Sequence, residues 1–85
     1  MPTISEFLGI KILMYANDHN PPHFHAWYGD DKALYEIATL RAIGGRLPRR
    51  VHSLVLEWAD LHRDELMQNW ELARQGEQVV RIEPL

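Results

Sequence analysis

The longest run of this chain without glycine or proline constrains its fold more than any other feature. The run includes residues 51 to about 75 and is dominated by good helix formers, with Pro48 suited to a first helical turn and Gly76 to a stop. At about 100° per residue, the apolar side chains form one stripe. The stripe comprises Val51, Leu54, Val55, Trp58, Leu61, Leu66, Leu72 and Ala73. The pattern predicts one long C-terminal helix with a single buried face.

Shorter segments with the properties of strands surround this helix. The predicted strands are residues 9–15, 23–28, 34–40 and 79–83. The second and third are separated by Gly29 and two aspartates, which indicates a hairpin, and residues 42–47 contain two glycines and are predicted to turn. The predicted fold class is α+β: a small antiparallel β-sheet packed against one long C-terminal helix, with a short final strand. Residues 1–85 are expected to form a single domain.

The absence of cysteine and of a long apolar run limits the classes to which the chain can belong. Without cysteine there is no disulfide, no thiolate metal ligand and no thiol nucleophile. No apolar run approaches the roughly 20 residues that a membrane span needs, and the N-terminal residues lack the pattern of a secretory signal. We therefore expect a cytoplasmic protein with no membrane partner.

The charged residues are unevenly distributed. A net charge of −3 argues against a general nucleic-acid binder, whose affinity comes from many Lys and Arg contacts with phosphates. Arg46, Arg49 and Arg50 nevertheless lie in a segment without acids, which is followed by an acidic stretch. A solvated turn is the simpler interpretation of these arginines. The alternative is contact with an RNA phosphate or an acidic partner.

Three of the five histidines lie in residues 18–26, DHNPPHFHA. Alternate side chains of an extended strand share a face, so His23 and His25 are expected to project together, with about 7 Å between their origins. Asp18 and His19 precede them at the entrance of the turn, which a pair of prolines stiffens. Two imidazoles at this spacing can serve as a pair of metal ligands.

Three polar residues interrupt the apolar face of the predicted helix. His62, Glu65 and Asn69 are expected to point towards the sheet, and burying each without a partner would cost about 1–3 kcal/mol. A His-x-x-Glu pair on a helix can offer nitrogen and oxygen to one ion. One hypothesis is that this group meets the strand histidines and that His23, His25 and His62 bind a divalent metal. The alternative is that the histidines form a structural hydrogen-bond network.

Several segments of the chain together resemble a known family. They are MPTI at the start, NDHNPPHFHAWYG, GGRLPRR, LVLEWADLHRDELMQNWELA and the closing RIEPL. Over essentially its full length, the chain resembles the bacterial domain of unknown function 4160 family. The matching residues are Asp18, His19, Pro21, Pro22, His23 and His25 in the loop and Glu57, Trp58, His62, Glu65, Leu66 and Trp70 in the helix.

The resemblance implies a partner and a toxic activity but no particular reaction. Members of that family are small cytosolic proteins, often encoded beside a protein of the domain of unknown function 2442 family. Some are described as toxins of type II toxin–antitoxin pairs. The resemblance therefore implies a small protein partner encoded next to this one, and it assigns no catalytic residue.

Three functions remain open. The first is a toxin-like protein that cleaves RNA, with histidines as general acid and base and arginines holding phosphate. Its candidate catalytic residues are His19, His23, His25, His62 and Glu65, and its candidate phosphate contacts are Arg46, Arg49 and Arg50. A metal-dependent version leaves an open position for water on the bound ion. The second is a non-catalytic partner-binding or regulatory module, and the third is a ligand- or metal-sensing domain. Pairing of the predicted final strand leaves room for a homodimer.

Overall fold

The computed structural model describes residues 2–16 and 18–85 and shows a five-stranded antiparallel sheet followed by two helices. The strands are β1 (Thr3–Phe7), β2 (Ile10–Leu13), β3 (His23–Tyr28), β4 (Asp31–Glu36) and β5 (Ala42–Gly45), and the helices are α1 (Arg49–Leu61) and α2 (Arg63–Arg74). Each strand pairs with the next along the chain, so the sheet order is β1-β2-β3-β4-β5. The predicted α+β class with an antiparallel sheet is confirmed.

The helices cover one face of the sheet because alternate side chains of the strands are apolar on that face. Phe24 on β3 is paired across the sheet with Tyr35 on β4, and their rings stack with centroids 5.5 Å apart. Trp58 on α1 completes this buried group, 6.0 Å from Phe24. Burying a side chain such as Phe24 stabilises the fold by about 1.5–3 kcal/mol. His25 alternates with Phe24 along β3 and therefore lies on the opposite face.

The prediction of one long helix is wrong, because the helix is interrupted at His62. His62 has φ −127° and ψ 28°, outside the helical region, and its N–H donates to the carbonyl of Ala59. Next to the interruption, the Arg63 guanidinium bonds the Asp60 carboxylate and the Ala38 carbonyl. A tertiary contact therefore accompanies the break in a segment of otherwise uniform helix propensity.

The strand predictions differ from the structure at β1, β4 and β5. β1 was not predicted, the third predicted strand at residues 34–40 lies at 31–36, and the predicted turn at 42–47 contains β5. The chain turns at Leu40, which adopts φ +59° and whose N–H donates to the Glu36 carbonyl. An apolar residue gives no sequence signal for such a turn. Gly44 and Gly45 are the last two residues of β5, where they pair with Leu34 and Ala33, respectively.

The predicted final strand is wrong, because a side-chain amide takes the backbone hydrogen bonds of that segment. Asn69 Nδ2 donates to the Val80 carbonyl at 2.7 Å, and Asn69 Oδ1 accepts from the Val80 N–H at 2.8 Å. Two residues further on, the Ile82 N–H donates to the Ile4 carbonyl of β1 at 2.7 Å. The C-terminal segment is therefore an irregular tail held by α2 and by β1.

Candidate metal centre

The loop before β3 and the start of β3 bring one carboxylate and two imidazoles together. Nε2 of His23 lies 3.0 Å and Nε2 of His25 lies 3.2 Å from the same atom, Oδ2 of Asp18. One nitrogen or oxygen from each of the three residues lies within 4.8 Å of the others. Among residues 2–16 and 18–85, no other group of three His, Asp or Glu side chains converges in this way. We call these three residues the Asp18 cluster.

β3 places the two imidazoles side by side because His23 and His25 are alternate residues of an extended strand. Their ring centroids are 5.4 Å apart. The preceding loop, residues 18–22, has a cis peptide bond between Asn20 and Pro21 and turns back on the strand. The strand therefore fixes the spacing of the rings, and the loop supplies the carboxylate.

The hydrogen bonds of His23 limit its ring to two protonation states. Nδ1 lies 2.7 Å from the Pro21 carbonyl oxygen, which can only accept, so Nδ1 carries a proton and donates it. Nε2 faces the carboxylate oxygen of Asp18 at 3.0 Å. Two states satisfy both contacts. Either the ring is an imidazolium that donates from both nitrogens, or it is neutral and its Nε2 lone pair shares a cation with the carboxylate.

The carboxyl group of Asp18 is ionised near neutral pH. Partial burial raises the pKa of Asp18, but the hydrogen bond from His25, the charge of His23 and the N–H of His19 lower it more, so that it lies below its ordinary value. The side chains of Asp18 and His25 are 19% exposed, whereas that of His23 is 5% exposed. The cluster thus has one buried group and two that solvent reaches.

Two of the three separations in the cluster match those between ligands of one transition-metal ion. With metal–ligand bonds of about 2.1 Å and angles of about 90–109°, neighbouring ligand atoms lie about 3.0–3.4 Å apart. The two His–Asp distances are 3.0 and 3.2 Å. Two imidazoles and a carboxylate form a donor set typical of Zn²⁺ and Fe²⁺. The bond from His23 Nδ1 to a backbone carbonyl is of the kind that orients a metal-binding histidine.

Aromatic side chains from other parts of the chain pack against the two imidazoles. The Tyr15 ring meets His25 edge-on, with centroids 4.5 Å apart. Trp70 on α2 lies 5.2 Å from His23 and is itself buried. Because packing holds both rings, little conformational entropy is lost when they bind an ion.

The other predicted catalytic residues lie outside this cluster. His62 lies at the junction of α1 and α2, where its Nδ1 bonds the Glu65 carboxylate at 2.5 Å and its ring is 5.4 Å from that of Trp58. His19 is exposed, and its backbone N–H donates to Asp18 Oδ1. Asp18, rather than His62, is therefore the third residue beside the two strand histidines, and His62 forms a separate pair with Glu65.

Sequence reasoning placed Asp18 only at the entrance of the loop and did not include it among the ligands. The signal that identifies it is its separation of five residues from His23, across a turn that contains two prolines. Such a turn brings its two ends close together. A carboxylate at one end and an imidazole at the other are then within reach of a single ion.

Of the predicted arginines, Arg46 follows the end of β5, and Arg49 and Arg50 are the first two residues of α1. Arg46 and Arg49 line a cavity together with Tyr35 and His52, and Arg50 is not among its lining residues. Sequence reasoning did not single out Tyr35 or His52. The available signal for His52 is its position three residues after Arg49, because residues at this spacing share a helix face.

These features define a class of protein: a small α+β domain whose five-stranded sheet carries a two-histidine, one-carboxylate cluster and, near its first helix, an arginine-lined cavity. No helix in the described residues is long and apolar enough to cross a membrane. The chain belongs to the family Domain of unknown function (DUF4160), whose model matches residues 9–71. This range includes both groups of side chains, and the match confirms the resemblance found in the sequence. No curated protein and no solved structure matches the chain.

Proposed function

We propose that this protein binds a divalent transition-metal ion at Asp18, His23 and His25 and uses it for hydrolysis. The observation that carries the proposal is the convergence of two Nε2 atoms on Oδ2 of Asp18, at 3.0 and 3.2 Å. A cation bound between these three atoms would satisfy the ionised carboxylate and the neutral form of both rings at once. The same geometry leaves room in the coordination shell for water.

The chain's own residues have distinct tasks at such a centre. His23 is the buried ligand, oriented by the Pro21 carbonyl, and Asp18 supplies the negative charge. His25 lies towards solvent and is held by Tyr15. A bound ion with three protein ligands retains an open position and lowers the pKa of water there to about 7.

RNA is the substrate that we propose for this centre, in a toxin-like component of a bacterial toxin–antitoxin pair. The support is the sequence resemblance, which implies a toxin-like role for this family, together with a centre of a kind that cleaves phosphodiesters. A small protein of the domain of unknown function 2442 type, encoded next to this chain, is the proposed partner.

The direct test measures the stoichiometry and affinity of metal binding in protein made without a histidine tag. The wild type should bind a single Zn²⁺ or Co²⁺ per chain, and His25→Ala should bind more than about tenfold more weakly because a ligand is lost. His19→Ala is the matched control, since His19 lies beside Asp18 but outside the cluster. Circular dichroism verifies that each variant folds. Equal affinities of His25→Ala and wild type would refute the metal centre.

The toxin-like role has a separate test. Expression of the wild type should arrest bacterial growth, and His23→Ala or His25→Ala should relieve the arrest, as should co-expression of the neighbouring gene product. If folded His25→Ala is as toxic as the wild type, the Asp18 cluster is not the source of toxicity, whatever its affinity for metal.

A non-catalytic partner-binding module is the second candidate, and the contacts of His23 favour it. Both ring nitrogens of His23 face acceptors, so an imidazolium would tie the Pro21 carbonyl to Asp18 and act as an internal strut. In that case Zn²⁺ would leave the melting temperature unchanged. A metal centre instead predicts that Zn²⁺ raises the melting temperature of the wild type and not that of His25→Ala.

A further inference from the structure

The cavity that Arg46 and Arg49 line lies between β4, β5 and the start of α1. Tyr35, Arg46, Arg49 and His52 line it together with apolar residues. Its volume is about 420 Å³, within the range of roughly 300–1,000 Å³ typical of small-molecule sites. None of its lining residues in the described chain is Asp or Glu. We call it the arginine cavity.

The two arginines of this cavity form no ion pair in the part of the chain that the structure describes. Both are exposed, and Asp31 shares an adjoining pocket with Arg46 without pairing with it. Arg63 and Arg74, by contrast, pair with carboxylates three residues away. An anion bound between Arg46 and Arg49 would interact favourably with both positive charges.

A hydrogen bond joins Tyr35 to His52. The Tyr35 side chain is fully buried, and its hydroxyl lies 2.8 Å from Nδ1 of His52. Burial raises the pKa of Tyr35, so the phenol keeps its proton at neutral pH and is able to donate it to Nδ1. When the phenol donates, the proton of the neutral imidazole is on Nε2. The cavity is therefore lined by two guanidinium groups and an imidazole that can offer an N–H donor.

The end of β5 anchors the backbone of Arg46. Gly45 has φ +70°, and a Cβ at this residue would clash with the carbonyl oxygen of Lys32. The Arg46 N–H donates to that same oxygen at 3.0 Å. The backbone that presents Arg46 is thus anchored to β4. Arg49 is held independently by α1, whose first turn contains no acidic side chain.

We propose that the arginine cavity binds the dianionic phosphate group of a phosphate monoester. Its charge of about −2 near neutral pH balances the two guanidinium groups, whereas a phosphodiester carries only one negative charge. Guanidinium groups bind phosphate oxygens in pairs of parallel hydrogen bonds, and His52 supplies a further donor. This anion site lies apart from the Asp18 cluster, whose residues line no part of the cavity.

Calorimetric titration with AMP in the presence of EDTA tests the proposal, because EDTA removes any contribution from a metal at the Asp18 cluster. AMP should bind and adenosine should not. Arg49→Gln should weaken AMP binding at least tenfold. The matched control is Arg50→Gln, which removes the same charge from the next residue of α1, outside the cavity, and should change the affinity less than twofold. Arg46→Gln repeats the test on a different element should Arg49→Gln fail to fold.

A terminal phosphate can belong to a free mononucleotide or to the 5′ end of an RNA, and two oligoribonucleotides distinguish these sources. Tighter binding of a 5′-phosphorylated oligomer than of AMP supports an RNA end, and tighter binding of AMP supports a mononucleotide. Equal binding of the 5′-phosphorylated and 5′-hydroxyl oligomers, with no binding of AMP, overturns the proposal. So does equal weakening of AMP binding by Arg49→Gln and Arg50→Gln, or failure of every phosphorylated probe to bind the wild type.

Discussion

Two parts of this molecule place histidine in opposite electrostatic environments. In the Asp18 cluster, two imidazoles face a carboxylate whose pKa is held below its ordinary value. In the arginine cavity, His52 is hydrogen-bonded to the neutral phenol of Tyr35, and two arginines also line the cavity. The first environment suits a cation and the second an anion. Counting histidines in a sequence therefore does not determine what they bind.

The comparison also shows how one ring nitrogen prepares the other. His23 Nδ1 donates to a backbone carbonyl, so the neutral form of this ring has its Nε2 lone pair available for a cation. His52 Nδ1 is instead hydrogen-bonded to the Tyr35 hydroxyl, and a phenol that donates there leaves a proton on Nε2 for an anion. The partner of Nδ1 thus favours Nε2 as a ligand in the neutral form of His23 and as a donor in His52. Substitutions of these residues and of their neighbours test this contrast.

The largest effect is expected from removing the single carboxylate of the cation site. Asp18→Asn preserves shape but replaces a negative ligand with a neutral amide, so zinc affinity at pH 7 should fall on the order of 100-fold or more. Competition against a chromogenic chelator measures it. AMP binding in EDTA should not weaken, because Asp18 does not line the arginine cavity.

Glu65→Gln is the control for this variant, since it removes a carboxylate from the other histidine–carboxylate pair. Its zinc affinity should stay within about threefold of wild type, as expected for a residue that is not a ligand. If Glu65→Gln loses as much zinc affinity as Asp18→Asn, the ion binds near His62 and Glu65. The Asp18 cluster would then not be the cation site.

The next effect concerns how the arginine cavity is positioned. Gly45→Ala forces a side chain against the Lys32 carbonyl at a positive φ, so the free energy of unfolding should fall by about 2 kcal/mol or more. Gly29→Ala is the matched control: its φ is +57° but nothing lies within 4 Å, so it should lose about 1 kcal/mol. Urea unfolding measures both, and equal losses would show that the Lys32 contact does not hold Arg46.

The sequence predicted those elements whose side chains repeat with a clear period. Residues 23–28 were predicted as a strand with the observed bounds, because apolar and polar side chains alternate there. The interruption at His62 has no local signal in a run of good helix formers, and the neighbouring Arg63 bonds Ala38, 25 residues away. The irregular tail depends in the same way on Asn69 and Val80. Contacts between distant segments are not visible in hydrophobic periodicity.

The same distinction between local patterns and long-range contacts applies to the candidate site. Strand alternation is local, so it was sufficient to place His23 and His25 on one face. The position of His62 was inferred from a continuous helical phase, and the helix ends at Leu61, so that phase does not extend to Glu65. The approach of Asp18 depends on the path of the loop. Which of these residues bind metal or act in catalysis stays a prediction.

The smallest effect is expected from Tyr35→Phe, which removes the hydrogen bond between Tyr35 and His52. At pH 8 the variant should be less stable than wild type by about 1 kcal/mol. Because the folded-state pKa of Tyr35 is raised above 10.0, the unfolded chain ionises first, and this tyrosine's contribution to wild-type stability is lost as pH rises above about 10. The difference between the two proteins in urea unfolding should therefore shrink between about pH 9 and 11. A difference that is constant across this range would mean that the pKa of Tyr35 is the same in the folded and unfolded states, which contradicts a buried phenol at this position.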